Sequence, residues 1–438
     1  MQENTTRKGM GLHWFEPKPS NRGSLKQAIK DSTVFTVLAG LIPVFILFLT
    51  VGPVLVTSLQ DAGLSQPQII GWMLAIHVFG GINGLVLSVY YRMPIVGAYS
   101  IPGIAIAAGA LGTLTYPEAL AGFIGAGLIV FLIGITGLAK TLVRYIPGPI
   151  MFAMIAGVLL SFPLQIISGV QAAPLIGVAT ILGYIIFHLW VPRVPGIMGA
   201  LFFGTTAAVV QGEFAFEAVE FGVGVPHFEV PEFSWIAVLS LSLPLAMAVV
   251  GSENMQSIGV LKTIGFRPPV TAMTVMSGIG GVVAGFFGGH NANIAGPATA
   301  AAAAPDTGPA RSRFFVAFLS CLVVMSFGIF APMVLDVFAF FPEALMSLLV
   351  GLVLLPIVAS AFTDAWEKRQ FPLSVLVTFL IASSGVSMFG ISSAFWALLF
   401  GCLSAILIER KDLKAYSKEH VSEFDETEPE MDREPAQV

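Results

Sequence analysis

The chain has 438 residues, of which 56% are hydrophobic and 11% charged, whereas roughly a quarter of the residues in an ordinary soluble domain are charged. Most of its surface must face lipid, which excludes a soluble enzyme and a nucleic-acid-binding protein. The net charge of -5 says little about partners, because ten of the 26 acidic residues crowd between Glu409 and Glu434. Residues 1–32 carry Arg7, Lys8, Lys18, Arg22, Lys26 and Lys30 without a cleavage-site pattern and read as a cytoplasmic N-terminal segment. Apolar stretches long enough for a hydrocarbon core of ~30 Å then follow near 34–59, 68–90, 118–138, 147–168, 173–191 and 196–211. Residues 212–233 form an acidic, external loop. Beyond it come 234–261, 269–287, 312–335, 343–362, 372–388 and 392–408, then an acidic cytoplasmic tail, 409–438, whose composition predicts disorder. Cys321 and Cys402 both sit in apolar runs, so no disulfide framework is indicated.

Two further segments, 94–112 and 288–304, are rich in Gly and Ala and broken by Pro102 and Pro297. Charge decides whether they cross. If both do, every Lys and Arg falls on one side: the N-terminal six, Arg92, Lys140, Arg144, Arg193, Lys262, Arg267, Arg311, Arg313, Lys368, Arg369 and the five of the tail. Cytoplasmic loops collect such residues. The expected fold is therefore an all-α polytopic membrane protein with fourteen transmembrane segments and both termini cytoplasmic.

Seven crossings followed by seven place residues 33–211 and 234–408 in opposite orientation, as two inverted repeats. A weak internal match supports this, with Ile101 over Ile294 and Pro149 over Pro342 at an offset of 193. It pairs segments 3 and 10, each expected to be part extended and part helical. Extended backbone at that depth must be buried in protein or line a cavity, and the helix after it turns its amide end towards that cavity. Such a pair suits a small anion or a polar edge; plain Gly/Ala helix packing is the competing reading.

Every Asp and Glu lies in a tail, a loop or a helix end except Glu253. It precedes Lys262 by nine residues, roughly 13 Å along a helix and close to mid-bilayer. Hydrocarbon favours its protonated form, so Glu253 can carry a proton for coupled transport. A neutral Glu bonded to the broken-helix backbone is the structural alternative. Asn254, Gln256 and Ser257 add a polar patch around it. His290, beside Asn291 and Asn293, either orients the turn or touches substrate, whereas His77, Asn83 and His188 are weaker candidates. No metal motif, phosphate loop or nucleophile triad appears, so neither a metal nor a cofactor is expected.

Several of these residues form recognisable strings. Phe287-Gly288-Gly289-His290 with Asn293-Ile294-Ala295 resembles the Phe-Gly-Gly-His-x-x-Asn-Leu-Ala signature of the benzoate:proton symporter family. Gly259 to Pro269, ending Gly-Phe-Arg-Pro-Pro, resembles that family's loop after the eighth helix, and Ser100-Ile101-Pro102-Gly103 matches its Ser-Thr-Pro-Gly. The likeness runs from about Lys26 to Ile408. It implies the fold shared with uracil permeases: a core domain of crossings one to four and eight to eleven, and a gate domain of the rest. Substrate would lie between segments 3 and 10 against helix 8, touching Tyr99, Ser100, Ile101, Glu253, Asn254, Gln256, His290, Asn291 and Asn293. The resemblance also implies a bacterial inner membrane, protons and a small molecule as partners, and leaves a homodimer open.

Two positions depart from the benzoate-type pattern, Glu253 replacing Gln and Tyr99 replacing Trp. An ionised Glu253 would repel a substrate carboxylate by roughly 4 kcal/mol at about 4 Å and an effective dielectric of about 20. Uracil and xanthine permeases do carry Glu on helix 8, but the acid of uracil permeases before Asn-Ile in segment 10 is here Ala292. An aromatic or small organic carboxylate ranks first, a nucleobase-like solute second, and an anion exchanger or channel behind them.

Overall fold

The computed structural model describes residues 15–17, 24–138, 146–191, 194–215, 219 and 221–416. Arg7, Lys8, Lys18, Arg22, Lys140, Arg144, Arg193, Lys418, Arg433 and most of the acidic tail lie outside the described residues. The first half comprises α1 (Leu25–Asp31), α2 (Val34–Asp61), α3 (Gln66–Tyr91), strand β1 (Gly97–Ala98), α4 (Ile101–Leu111) and α5 (Tyr116–Thr136). It continues through α6 (Gly148–Ala172), α7 (Pro174–Trp190) and α8 (Gly196–Gln211). The second half runs α9 (Trp235–Thr263), α10 (Val270–Phe286), β2 (Asn293–Ile294), α11 (Gly296–Ala303), α12 (Arg313–Ile329) and α13 (Ala331–Ala339). It ends in α14 (Glu343–Trp366), α15 (Pro372–Ser384), α16 (Ser393–Leu407) and α17 (Arg410–Tyr416). Among the described residues six helices are long and apolar enough to cross a membrane, or up to eight if each of the bent pairs α12–α13 and α16–α17 counts as one span.

Local chemistry sets the boundaries. Thr33, Ser65 and Thr115 open α2, α3 and α5 with capping boxes, each exchanging bonds with the residue three positions on. Pro332 in the first turn of α13 has no N–H to continue α12, and the axis bends by 69° there. In α9, two stretches, Val238–Ser242 and Val249–Asn254, are wound as π-helix. Pro244 cannot donate to the carbonyl of Ser240, and Ser392 Oγ donates to that oxygen instead at 2.6 Å. The expectation of an uninterrupted α-helix over 234–261 is corrected accordingly, and Glu253 lies in the second widened turn.

The helices pack in two groups. In one, α10 lies along α5 and α12 along α3, with α2, α9 and the strand-helix segments between them. Small residues make this possible: Gly127 and Gly134 of α5 meet Val282 and Val275 of α10. In the other, α14 packs on α6 and α7, α15 on α6 and α16, and α8 on α7.

The repeat register differs from the sequence alignment. Pro102 and Pro297 both occupy the first turn of their helices, and Pro147 and Pro342 are both the residues before α6 and α14. Each pair is offset by 195 residues, so the match at 193 is two residues out of step. Proline tolerates only the start of a helix and is the better marker of register than the chance identity of Ile101 and Ile294.

The chain ends are also structured. Glu16 accepts bonds from the amides of Thr271 (2.6 Å) and Ala272 (3.0 Å) at the start of α10, and its carbonyl accepts from Tyr91 Oη. Asp31 pairs with Arg311 and Ser312 at 2.8 and 2.9 Å. At the other end, residues 409–416, expected to be disordered, are ordered. Glu409 caps α15 through Leu373 and Ser374, and Tyr416 Oη accepts from the Gly148 amide at the start of α6. Orphan amides at helix starts explain why acidic side chains settle there.

Candidate functional site

β1 and β2 pair antiparallel, Gly97 opposite Ile294 and Ala98 opposite Asn293. The ladder continues through Ala295 N–H to Val96 O at 2.9 Å, and Thr299 Oγ1 serves the amide and carbonyl of Val96 at 3.1 and 3.3 Å. The expectation that segments 3 and 10 are part extended and part helical is met. Their exposed strand edges are satisfied by each other, by Thr299 and by Asn83, whose Nδ2 donates to Met276 O and Ala292 O at 3.1 and 3.0 Å.

Backbone reaches backbone on the α3 side. A Cβ at Gly80 would stand 2.1 Å from the Ala98 oxygen, and one at Gly84 would stand 2.0 Å from the Gly97 nitrogen. Trp72 Nε1 donates to His290 Nδ1 at 2.9 Å, which leaves Nε2 to carry the proton donated to Ser100 O at 3.0 Å. Ser100 N–H donates to Asn291 Oδ1 at 3.1 Å, and Ser100 Oγ caps α4 by accepting from Gly103.

These supports aim two helix ends at one point. Ile101 N–H donates to Glu253 Oε1 at 3.1 Å, and Gly296 N–H donates to Glu253 Oε2 at 3.3 Å. Each carboxylate oxygen therefore takes the first turn of one half-helix, and the side chain is only 3% exposed. Two amide ends with their helix dipoles are suited to hold a negative charge there.

The other sequence candidates lie around this point. Tyr99 is buried with its ring 5.8 Å from Phe48, 4.9 Å from His77 and 5.9 Å from His290, and its hydroxyl has no partner among the described residues. Asn254 accepts from Ser277 Oγ at 3.0 Å and faces α10, away from the polar patch it was expected to join. Gln256 is exposed and packs over Gly296. Asn293 donates to the Ile294 carbonyl, and Asn291 Nδ2, Asn293 Oδ1 and Asn254 Nδ2 are buried without partners among the described residues. His77 is buried and bonded to Met73 O, whereas His188 is exposed and stacked on Tyr184.

Trp72 and Thr299 had no signal in the sequence, since their partners are 218 and 203 residues away. A cavity of about 550 Å³ opens beside the carboxylate, lined among others by Ile101, Pro297, Gln256, Asp364, Lys368 and Tyr416. A smaller apolar crevice on the other flank of Glu253 is lined by Phe48, Val51 and Tyr99. No group of three or more His, Cys, Asp or Glu among the described residues could hold a metal.

Residues 30–407 match the family model described as benzoate membrane transport protein. The chain belongs to that family. It is 28% identical to the benzoate membrane transport protein of Acinetobacter baylyi over 387 residues, 88% of this chain and 98% of that one. It is 30% identical to the inner membrane protein YdcO of Escherichia coli over 374 residues, 85% of this chain and 95% of that one. Among solved structures it resembles the transmembrane domain of the cyanobacterial bicarbonate transporter BicA, with a TM-score of 0.55, 14% identity, and coverage of 85% of this chain and 98% of that one. The inward-facing murine anion transporter Slc26a9 gives a TM-score of 0.54 at 14% identity, covering 90% of this chain and 74% of that one. These two share its fold. Like its family, the protein is a multi-pass membrane transporter and not an enzyme.

Proposed function

We propose that this member of the benzoate transport family is a proton-coupled symporter of a small organic carboxylate, benzoate or a related aromatic acid. The supporting observation is the convergence of the Ile101 and Gly296 amides on Glu253, beside a Tyr99-lined crevice and a cavity of about 550 Å³. Amide ends hold a carboxylate, the larger cavity with Phe152 and Ile155 in its wall takes a ring, and a titratable acid alongside carries the proton. Gln256 lines the cavity itself, while His290 and Asn291 act behind it by holding Ser100. The relative named for benzoate supports the same substrate class.

In this reading the chain crosses the inner membrane of a bacterial cell fourteen times, as inverted repeats over 33–211 and 234–408 with both ends cytoplasmic. The packing group of α2–α5 and α9–α13 is the core domain; α6–α8 and α14–α16 form the gate. Lys368 and Glu367, both exposed, line the cavity together with Glu253, and under the positive-inside rule Lys368 belongs to the cytoplasmic side. Alternating access follows from displacement of the core along the gate.

Purified protein in proteoliposomes tests this. Benzoate should accumulate only under an inward proton gradient, saturably, and Glu253→Gln should abolish accumulation while exchange persists. Current independent of the gradient would mean a channel. The unpartnered amide atoms of Asn254, Asn291 and Asn293 favour a second reading, a nucleobase-like solute with a polar edge. Competition by uracil or xanthine, but not by benzoate, would select it.

A further inference from the structure

We infer that Glu253 is a built-in competitor of the transported anion: its own carboxylate fills the place between Ile101 and Gly296 that a substrate carboxylate must take. This rests on the reading of the site as a carboxylate site. An amide N–H has one proton to donate. Both of the available ones are already engaged, one by each oxygen of Glu253, at 3.1 and 3.3 Å. A benzoate carboxylate has the same two oxygens at the same spacing, so the two groups exclude each other sterically as well as by charge. Tyr99 Oη, buried and unpartnered, stands in the wall of the crevice that Glu253 shares, ready for a group other than the protein's own acid.

The acid has somewhere to go. Glu253 borders the cavity of about 550 Å³, so rotation about its side-chain bonds can carry its carboxyl from the two helix ends into that space. Its backbone lies in the π-wound turn Val249–Asn254, and Ser257 Oγ holds only its carbonyl, at 3.0 Å, leaving the side chain free of any bond within its own helix. A protonated carboxyl is a poorer acceptor for the two helix ends than a carboxylate, whereas the substrate anion keeps its full charge. Protonation therefore ejects Glu253 and admits the anion, in that order.

The titratable groups facing it are few. Tyr99 comes from the β1–α4 segment and His290 from the β2 side, with His77 on α3 behind Tyr99. Across the cavity stand Asp364 of α14, Glu367 and Lys368 just after it and Tyr416 of α17, while α2 and α6 bring none to either space. The consequence is strict coupling: an ionised, empty transporter carries its own anion and has no room for another, and one proton enters with each substrate.

Equilibrium binding of benzoate to purified protein between pH 5.5 and 8.5 tests this, with wild type, Glu253→Gln and Glu253→Ala side by side. Above the titration of Glu253, wild-type affinity should fall about tenfold per pH unit, as one linked proton requires. Glu253→Ala should bind without that slope and, at the alkaline end, at least tenfold tighter than wild type; Glu253→Gln should also lose the slope. A flat wild-type profile, or Glu253→Ala binding more weakly than wild type at every pH, overturns the inference by making Glu253 a direct ligand.

Amide hydrogen exchange at pH 8 supplies a readout that needs no substrate. Peptides containing Ile101 and Gly296 should exchange faster in Glu253→Ala than in wild type, and unchanged rates overturn the competitor role. If benzoate binds none of the three proteins while exchange does accelerate, the substrate reading fails and the self-occupied site stands.

Discussion

A methyl group at Gly80 would disturb the site from a distance. In Gly80→Ala the new Cβ would lie 2.1 Å from the carbonyl oxygen of Ala98 and 2.6 Å from its carbonyl carbon and Cα. Ordinary contact between such atoms is more than 3 Å, so strand β1 would have to retreat by about 1 Å, and it is backbone with no rotamer to yield. Behind β1 lies β2, paired through Gly97 and Ala98, so retreat shears that ladder. The Ile101 amide, three residues on and 3.1 Å from Glu253, moves out of hydrogen-bonding range with it. Overpacking of this kind costs about 1–3 kcal/mol, and a lost buried hydrogen bond about 1 kcal/mol more. The control is Gly109→Ala in α4, where nothing lies within 4 Å and helix propensity favours the substitution by up to about 1 kcal/mol. Thermal unfolding in detergent and uptake in proteoliposomes should show Gly80→Ala unfolding well below wild type with little transport, and Gly109→Ala at or above it. A Gly80→Ala protein as stable and active as Gly109→Ala would refute the claim that α3 sets the position of β1.

Trp72→Phe removes the donor to His290 Nδ1 and leaves that nitrogen buried without a partner, at a cost of about 1–3 kcal/mol; unfolding temperature and uptake should both fall. Asn83→Leu takes the side-chain donor from the buried Ala292 carbonyl, so it should lower the unfolding temperature by an amount comparable to Trp72→Phe in the same melt. Tyr416→Phe gives up the cap on the Gly148 amide, a loss of about 1 kcal/mol expected in denaturation. The hydrogen bond from Arg311 holds Asp31 below the usual carboxylate range. A depressed folded value means its contribution is complete above the unfolded value near 4 and is lost as pH falls through the folded one. The difference in unfolding temperature between wild type and Asp31→Asn should thus be constant from pH 5 to 8 and vanish in stronger acid.

Much of this was legible because the membrane enforces simple rules. Long apolar runs had to become helices, and Pro102 and Pro297 amid small residues could only mark interrupted ones. A lone acid at Glu253 had to meet buried donors. Three features needed coordinates. Pairing of Trp72, His290 and Ser100 reaches across about half of the chain and leaves no local pattern. The first π-wound turn of α9 has Ser392 bonded to the Ser240 carbonyl that Pro244 cannot serve, a partner 152 residues away. Residues 409–416 read as a solvated tail by charge, yet those same charges order the segment by capping helix starts. The slipped repeat register came from matching Ile101 to Ile294 when the prolines, constrained by their missing N–H, carried the alignment.

Each terminus is tied within one packing group: Glu16 and Asp31 grip α10 and the approach to α12, while Glu409 and Tyr416 grip α15 and α6. Among the described residues these ties stay within one group each, so the sliding proposed above would leave them intact. The chain passes between them only through the connections 137–147, 212–234 and 340–342, the last a three-residue link. In the proposed alternating access, that three-residue link is the connection that would most restrict displacement of one group along the other.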